Sequence, residues 1–261
     1  MIRRRIITLS ILVGFFSGVP LSGGISSTLH DFPHIGDGRG VFTIFLILNQ
    51  NEEAVTVTIS FFADDGSPLS LTFNDQTGTS IQIVVPARGT VKLTSSGAGA
   101  EPTTGSARLQ ATGDVGAQVL FEIRVEGNLV TQAAVESSPG IREADVFVEQ
   151  APGTGTAIAL ANVTGSQIAM RLTLRNAAGE VLTEKEITLE GREHIAMFMD
   201  QLFPGTEITN ATVHISSSGF VSVVTLQQTG LVLGTLSIVE VRNDKGKVTR
   251  CDHAILTHPV E

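Results

Sequence analysis

Six histidines are scattered along the chain: His30, His34, His194, His214, His253 and His258. Zinc chemistry usually announces itself by tight histidine spacing, as in HExxH on a helix face. Neither HExxH nor HxH occurs. The densest ligand-type cluster is Cys251-Asp252-His253 with His258, and its spacing matches no standard metal site. A Ser-His-Asp triad assembles from distant positions, so spacing alone does not exclude one. The GxSxG nucleophile elbow, however, is absent. His194 follows Glu193 beside a turn, where exposure is the default expectation. Gly36-Asp37-Gly38-Arg39-Gly40 and Gly153-Thr154-Gly155 are glycine-rich, but Val41 and Ile158 stand where GxGxxG would close. No βαβ pattern surrounds them, so a turn before a strand is the better reading. Asp64-Asp65-Gly66 and Glu52-Glu53 offer carboxylates to Ca²⁺, but fewer than its usual six or more oxygens. The chain reads as a non-enzyme. No catalytic, cofactor-binding or metal residue is assigned, and no cofactor is expected.

The bulk composition narrows the partners. Charged residues make up 16% of 261, against ~25% in typical soluble domains. Thr, Ser, Gln, Asn and Gly must then supply most of the polar surface, which suits strands and tight turns. Net charge is -9, and residues 1–24 hold Arg3, Arg4 and Arg5 with no acid, so the remainder is more acidic still. A dispersed acidic surface argues against nucleic acid, which needs a basic face, and against anionic lipid. There is no Trp and no Tyr. Glycan readers favour those two rings as exposed platforms, so the glycan reading weakens. Phe45, Phe61, Phe73 and Phe121 fall on apolar strand faces and are expected in the core. Cys251 is the one cysteine, so no intrachain disulfide forms. Asn162-Val163-Thr164 and Asn210-Ala211-Thr212 match the N-glycosylation acceptor pattern by chance.

The first 24 residues, MIRRRIITLSILVGFFSGVPLSGG, read as a signal peptide. Three arginines precede an apolar run from Ile6 to Val19, and small residues follow at Ser22, Gly23 and Gly24. The run is shorter than the ~20 residues that cross a bilayer as a helix. The expected destination is export: extracellular, cell surface or periplasm. No membrane span is expected after cleavage.

The remainder repeats itself. Residues 42–69 align without a gap over 155–182, so that Thr43 meets Thr156, Asn49 meets Asn162, Gly66 meets Gly179 and Leu69 meets Leu182, an offset of 113. Further on the offset is near 104, with Val85-Pro86-Ala87-Arg88 over Leu189-Glu190-Gly191-Arg192. The change requires a shorter loop in the second copy, placed at Asn74 to Ser80 of the first. The copies span 30–138 and 144–241. Ser137-Ser138-Pro139-Gly140 reads as a linker, and 242–261 as a charged flexible tail.

Within each copy the period is that of strands. Val55, Val57, Ile59 and Phe61 alternate with Thr56, Thr58 and Ser60, as half-buried strands do. Val115, Ala117, Val119 and Phe121 share a face, as do Met170, Leu172 and Leu174. Asp64-Asp65-Gly66 and Gly127-Asn128 supply turns. About seven short strands per copy predict an all-β fold of two tandem immunoglobulin-like antiparallel β-sandwiches. Residues 196–203 lack strand alternation and precede Pro204-Gly205, which predicts a short helix in the second copy alone.

Three motifs carry a family resemblance: Phe32-Pro33-His34-Ile35-Gly36-Asp37-Gly38-Arg39-Gly40, then Asp64-Asp65-Gly66, then Phe198-Met199-Asp200-Gln201-Leu202-Phe203-Pro204. In these the chain resembles bacterial secreted and cell-surface proteins with tandem immunoglobulin-like β-sandwich repeats. The resemblance covers most of 32–240, although the second copy opens instead on Gln150-Ala151-Pro152-Gly153-Thr154-Gly155. It implies a sandwich at or beyond the cell surface and implies no reaction. The expected function is a non-catalytic structural or protein-interaction module with an extracellular or envelope protein partner. Oligomeric state is left open. The alternative is a ligand- or glycan-binding module working through loops 36–40 and 150–155.

Overall fold

The computed structural model describes residues 28–241. The segment read as a signal peptide and the tail bearing Cys251, His253 and His258 lie outside the described residues. The first part of the chain forms β1 (Thr28–Asp37), β2 (Val41–Asn49), β3 (Val55–Ala63), β4 (Leu71–Phe73), β5 (Gln76–Gly78), β6 (Ser80–Val85), β7 (Thr90–Thr94), β8 (Thr103–Ala111), β9 (Val115–Val125) and β10 (Asn128–Glu136). The second part forms β11 (Ile141–Ala151), β12 (Thr154–Asn162), β13 (Ile168–Arg175), β14 (Val181–Leu189), β15 (His194–Phe198), α1 (Met199–Leu202), β16 (Ile208–Thr229), β17 (Val232–Leu236) and β18 (Ile238–Glu240). The protein is nearly all β, and its pairings are antiparallel.

Alternation decides which side chains go inside. In β3, Val55, Val57, Ile59 and Phe61 are buried while Thr56, Thr58 and Ser60 are half-buried. Two four-stranded sheets result, in the orders β1-β8-β3-β6 and β10-β9-β2-β7. Phe45, Phe61 and Phe73 meet in the apolar cluster of this half, with ring centroids 5.1 Å apart for Phe61 and Phe73. A separate cluster, including Leu160, Met170, Leu172 and Val213, forms the core of the second half.

The second half reuses the same pairing order. β14-β13-β16-β11 follows β6-β3-β8-β1, and β15-β12-β16-β17 follows β7-β2-β9-β10. One strand departs from this parallel. β16 is 22 residues long; its first part pairs with β11 and β13, and its last part with β12 and β17. The corresponding chain in the first half breaks at Thr112-Gly113-Asp114 into β8 and β9. Strand sets that are separate sheets in the first half are therefore joined through β16 in the second.

The side-chain bonds repeat as well. The Asn49 amide donates to the carbonyls of Glu53, Val85 and Pro86, and its oxygen accepts from the Asn51 backbone. The Asn162 amide donates to the carbonyls of Ser166, Leu189 and Glu190, and its oxygen accepts from the Thr164 backbone. Each partner sits at the register read from the sequence. Asn162 is 2% exposed and fully engaged, which leaves its amide inaccessible to glycosylation.

Two local expectations are corrected. The helix expected at 196–203 is reduced to the four residues of α1. Residues 194–198 instead pair with Ala157–Ala161 of β12, because the open edge of β12 offers more backbone bonds than an isolated turn of helix. The stretch Asn74 to Ser80 is more than a loop. Together with 71–73 it forms the hairpin β4–β5, which buries Leu71 and Phe73 in the core. In the second half the Asn176–Glu180 turn matches the Ala63–Ser67 turn, and β14 follows it directly with no counterpart of the hairpin.

Ser137 to Gly140 does not hang free. The Ser138 backbone N–H donates to the Asp31 carbonyl, its carbonyl accepts from the Ser222 hydroxyl, and its own hydroxyl accepts from the Val223 N–H. No helix among the described residues is long and apolar enough to cross a membrane.

Candidate functional site

The residues with most chemical potential converge where the two halves touch. The β3–β4 turn presents Asp64, β1 presents His34, and β15 begins at His194. The His194 backbone N–H donates to the Asp64 carbonyl, and its Nδ1 lies 3.0 Å from the Asp64 carboxylate. The His194 Nε2 lies 3.2 Å from the His34 Nδ1, so one of these two nitrogens donates and the other accepts. Thr104 donates its hydroxyl to Asp64 from the other side. The Phe121 ring packs against His34 at 5.4 Å.

Electrostatics follow from this geometry. Burial pushes the His34 pKa down to about 3, and the neighbouring His194 ring acts in the same direction. The hydrogen bond from His194 holds the Asp64 carboxyl below its ordinary value. His194 is only 2% exposed, so the exposure expected from sequence is overturned. The strand edge at β12 draws it under the β3–β4 turn. An Asp-His-His relay of this kind resembles half a catalytic device, and among the described residues no Ser or Cys side chain hydrogen-bonds to either ring.

A second polar cluster supports the same joint. Arg108 pairs with Asp31 at 2.7 Å and donates to the Val163 carbonyl at 2.8 Å. Arg192 donates to that same carbonyl and lies over the Phe62 ring at 5.6 Å. Burial pushes the Arg192 pKa down, and the neighbouring Arg108 charge adds to the shift. Gly66, at φ 79°, packs so closely on Gly191 that a Cβ would fall 2.5 Å from its carbonyl oxygen. Ala159 and Val224 of the second half join the apolar core of the first.

The remaining candidates lie apart. His30 bonds Ser137 and the Val115 carbonyl, and His214 lies 2.9 Å from Asp145. Glu52 pairs with Arg88. Among the described residues no group of three or more His, Cys, Asp or Glu is arranged to hold a metal ion. Arg39 and Gly40, from loop 36–40, line a depression of 510 Å³ with Phe42, Arg124 and Glu126. Loop 150–155 lines one of 330 Å³ with Phe198, Asp200, Gln201 and Gln228. These two depressions occupy matching places in the two halves. The junction itself was missed in sequence, because His34, Asp64 and His194 stand far apart along the chain. The motifs around each residue were visible, but nothing local shows that they meet.

No family model matches the chain, and no curated protein matches it. Among solved structures it is similar to the Anabaena sensory rhodopsin transducer, at 14% identity over 34% of this chain and 97% of that one, with a TM-score of 0.29. A structure described as Thermotoga maritima 1070 matches at 10% identity over 34% of this chain and 78% of that one, with a TM-score of 0.27. A β-glucuronidase from glycoside hydrolase family 2 matches at 7% identity over 84% of this chain and 24% of that one, with a TM-score of 0.16. At these scores the likenesses carry no functional argument. The protein is nearly all β with antiparallel sheets, and among its described residues His34, Asp64 and His194 meet where the two halves touch.

Proposed function

We propose that the chain is a non-catalytic, exported structural or protein-interaction module: two tandem immunoglobulin-like sandwiches locked into a stiff spacer. The observation that carries this reading is the engagement of His34, Asp64, His194, Arg108 and Arg192 with one another and with backbone across the joint. A flexible tether would have no use for a buried relay between its units, whereas a spacer that holds its ends at a fixed separation would. The resemblance to bacterial secreted and cell-surface repeat proteins, together with the basic-apolar-small pattern of residues 1–24, supports export.

Spin labels at Thr77 and Ala178, on a Cys251→Ser background diluted with unlabelled chain, test the stiffness. The expected result is one narrow distance distribution that broadens in His194→Ala. A broad distribution in the parent would sink the spacer reading. Cell fractionation of the full chain against a version lacking residues 1–24 tests destination, and loss of export on deletion is the expected result.

The second reading is ligand binding through loops 36–40 and 150–155, favoured by the depressions those loops line. Calorimetric titration with neutral oligosaccharides, compared between the parent and Phe198→Ala, separates it from the first.

A further inference from the structure

The sheet edges of the two halves are treated unequally. β7 is sealed: Asn74 takes the Lys92 carbonyl with its amide, the Thr94 N–H with its side-chain oxygen and the Thr94 carbonyl with its backbone N–H. β10 is covered by β17, whose Leu233 N–H and Thr235 hydroxyl bond Thr131 and the Ala134 carbonyl. β6 and β14 each have one paired neighbour, β3 and β13, and they hold the same position in the two pairing orders.

The register shows which groups β6 leaves open. Val55, Ile59 and Phe61 of β3 face β6, because the Phe61 N–H donates to the Thr79 carbonyl, whereas the Thr56 carbonyl turns to the Thr112 N–H on the β8 side. The bonded residues of β6 are therefore Ile81, Ile83 and Val85. Gln82 and Val84, with Ser80 at the strand start, aim their backbone N–H and C=O groups outward. All three side chains are exposed, and Val84 retains 61% of its surface. In β14 the matching positions are Glu184, Glu186 and Thr188, a charged guard of the kind that keeps edges from pairing. β6 has no such guard, and its cross-strand neighbours Thr56, Thr58 and Ser60 are neutral too.

We infer that β6 is an interaction edge and that its occupant is β6 of a second copy of this chain. A two-fold axis through Gln82 sets Gln82 against its own counterpart and Ser80 against Val84, so one contact satisfies two open edges at once. Charge favours this occupant. The chain carries a net charge of -9, and Ser80, Gln82 and Val84 with their neighbours Thr56, Thr58 and Ser60 are neutral, so two copies meet along this edge without like charges in direct contact. A charged partner finds no complementary group there. The inference goes beyond the spacer reading and stands whether or not that reading holds.

Sedimentation velocity of the full chain across a concentration series, with residue-resolved amide exchange, tests it. The expected result is a reversible species of twice 27.5 kDa. The Gln82 and Val84 amides should exchange about tenfold or more slowly in it than in the diluted monomer. Gln82→Lys and Val84→Lys, both on exposed positions, should each return the monomer with an unchanged melting temperature. A concentration-independent monomer overturns the proposal and leaves the spin-label distances unaffected. A dimer that survives both lysines, or whose Gln82 and Val84 amides stay fast, overturns it equally.

Discussion

His34 and His194 stack across the contact between the halves, with ring centroids 5.3 Å apart and planes inclined by 27°. One ring comes from the first strand of the first half and the other from the β15 edge of the second. Two imidazoles joined by one N–H can both stay neutral, but two imidazolium rings would turn N–H toward N–H. The joint thus excludes two charged rings at once, and burial keeps the His34 ring neutral.

The pKa of His34 is lowered to about 3 from 6.5. Between those values the unfolded chain binds a proton that the folded chain refuses. Stability is therefore retained above 6.5 and falls as pH drops through that window, by about 3 kcal/mol at pH 4.5 from this group. Thermal melts of the parent and His34→Gln at pH 7.5 and 4.5 check it. The variant should lose less on acidification than the parent; equal losses would show that His34 is not the group responsible.

Asn49 and Asn162 each tie three carbonyls of neighbouring loops. Alanine at either position leaves those acceptors unmet in a buried setting and should cost about 2–4 kcal/mol. Because the sites lie in different cores, the double variant should approach the sum in urea titrations. A cost confined to one site would mean that the two clamps are not equivalent.

Gly66 and Gly179 are matched by register and by φ, at 79° and 83°. A Cβ at Gly179 meets nothing within 4 Å, whereas one at Gly66 meets Gly191, Arg192 and Glu193 backbone. Gly179→Ala should cost about 1 kcal/mol from the left-handed backbone alone. Gly66→Ala should cost roughly 2 kcal/mol more, since backbone at the joint must move. Equal losses in denaturant melts would argue that the two halves do not press together at Gly66.

Arg108 neutralises Asp31, which is 4% exposed. Arg108→Met removes the guanidinium from that carboxylate and should cost about 3 kcal/mol. Asp31→Asn combined with Arg108→Met should recover part of the loss, which a double-mutant cycle on melting free energies reads directly. Strict additivity would show that the pair is not coupled.

Much of the strand pattern was legible because alternation is a local signal. Val55, Val57, Ile59 and Phe61, then Met170, Leu172 and Leu174, are buried as their period requires. The register between halves was legible through Asn49 and Asn162, since a buried amide that ties loops demands the same residue wherever the loops recur. What failed was governed by distant partners. Residues 196–198 read as helix, and only β12 beside them makes them a strand. Phe73 was expected on a strand face in the core, whereas Gln76 to Gly78, within the stretch read as a loop, pair with its strand as β5. His194 sat beside a turn, and its burial depends on Asp64, far along the chain.

The hairpin β4–β5 has one further consequence. The two halves share a register on either side of it, so the β3–β6 connection tolerates a change of length without disturbing the strands it joins. By register the same port in the second half falls at Thr183, between Leu182 and Glu184, where β14 runs on with nothing plugged in. For protein engineering this is a docking bay. A peptide epitope or small domain grafted at Thr183 would sit where the first half already carries a folded insert.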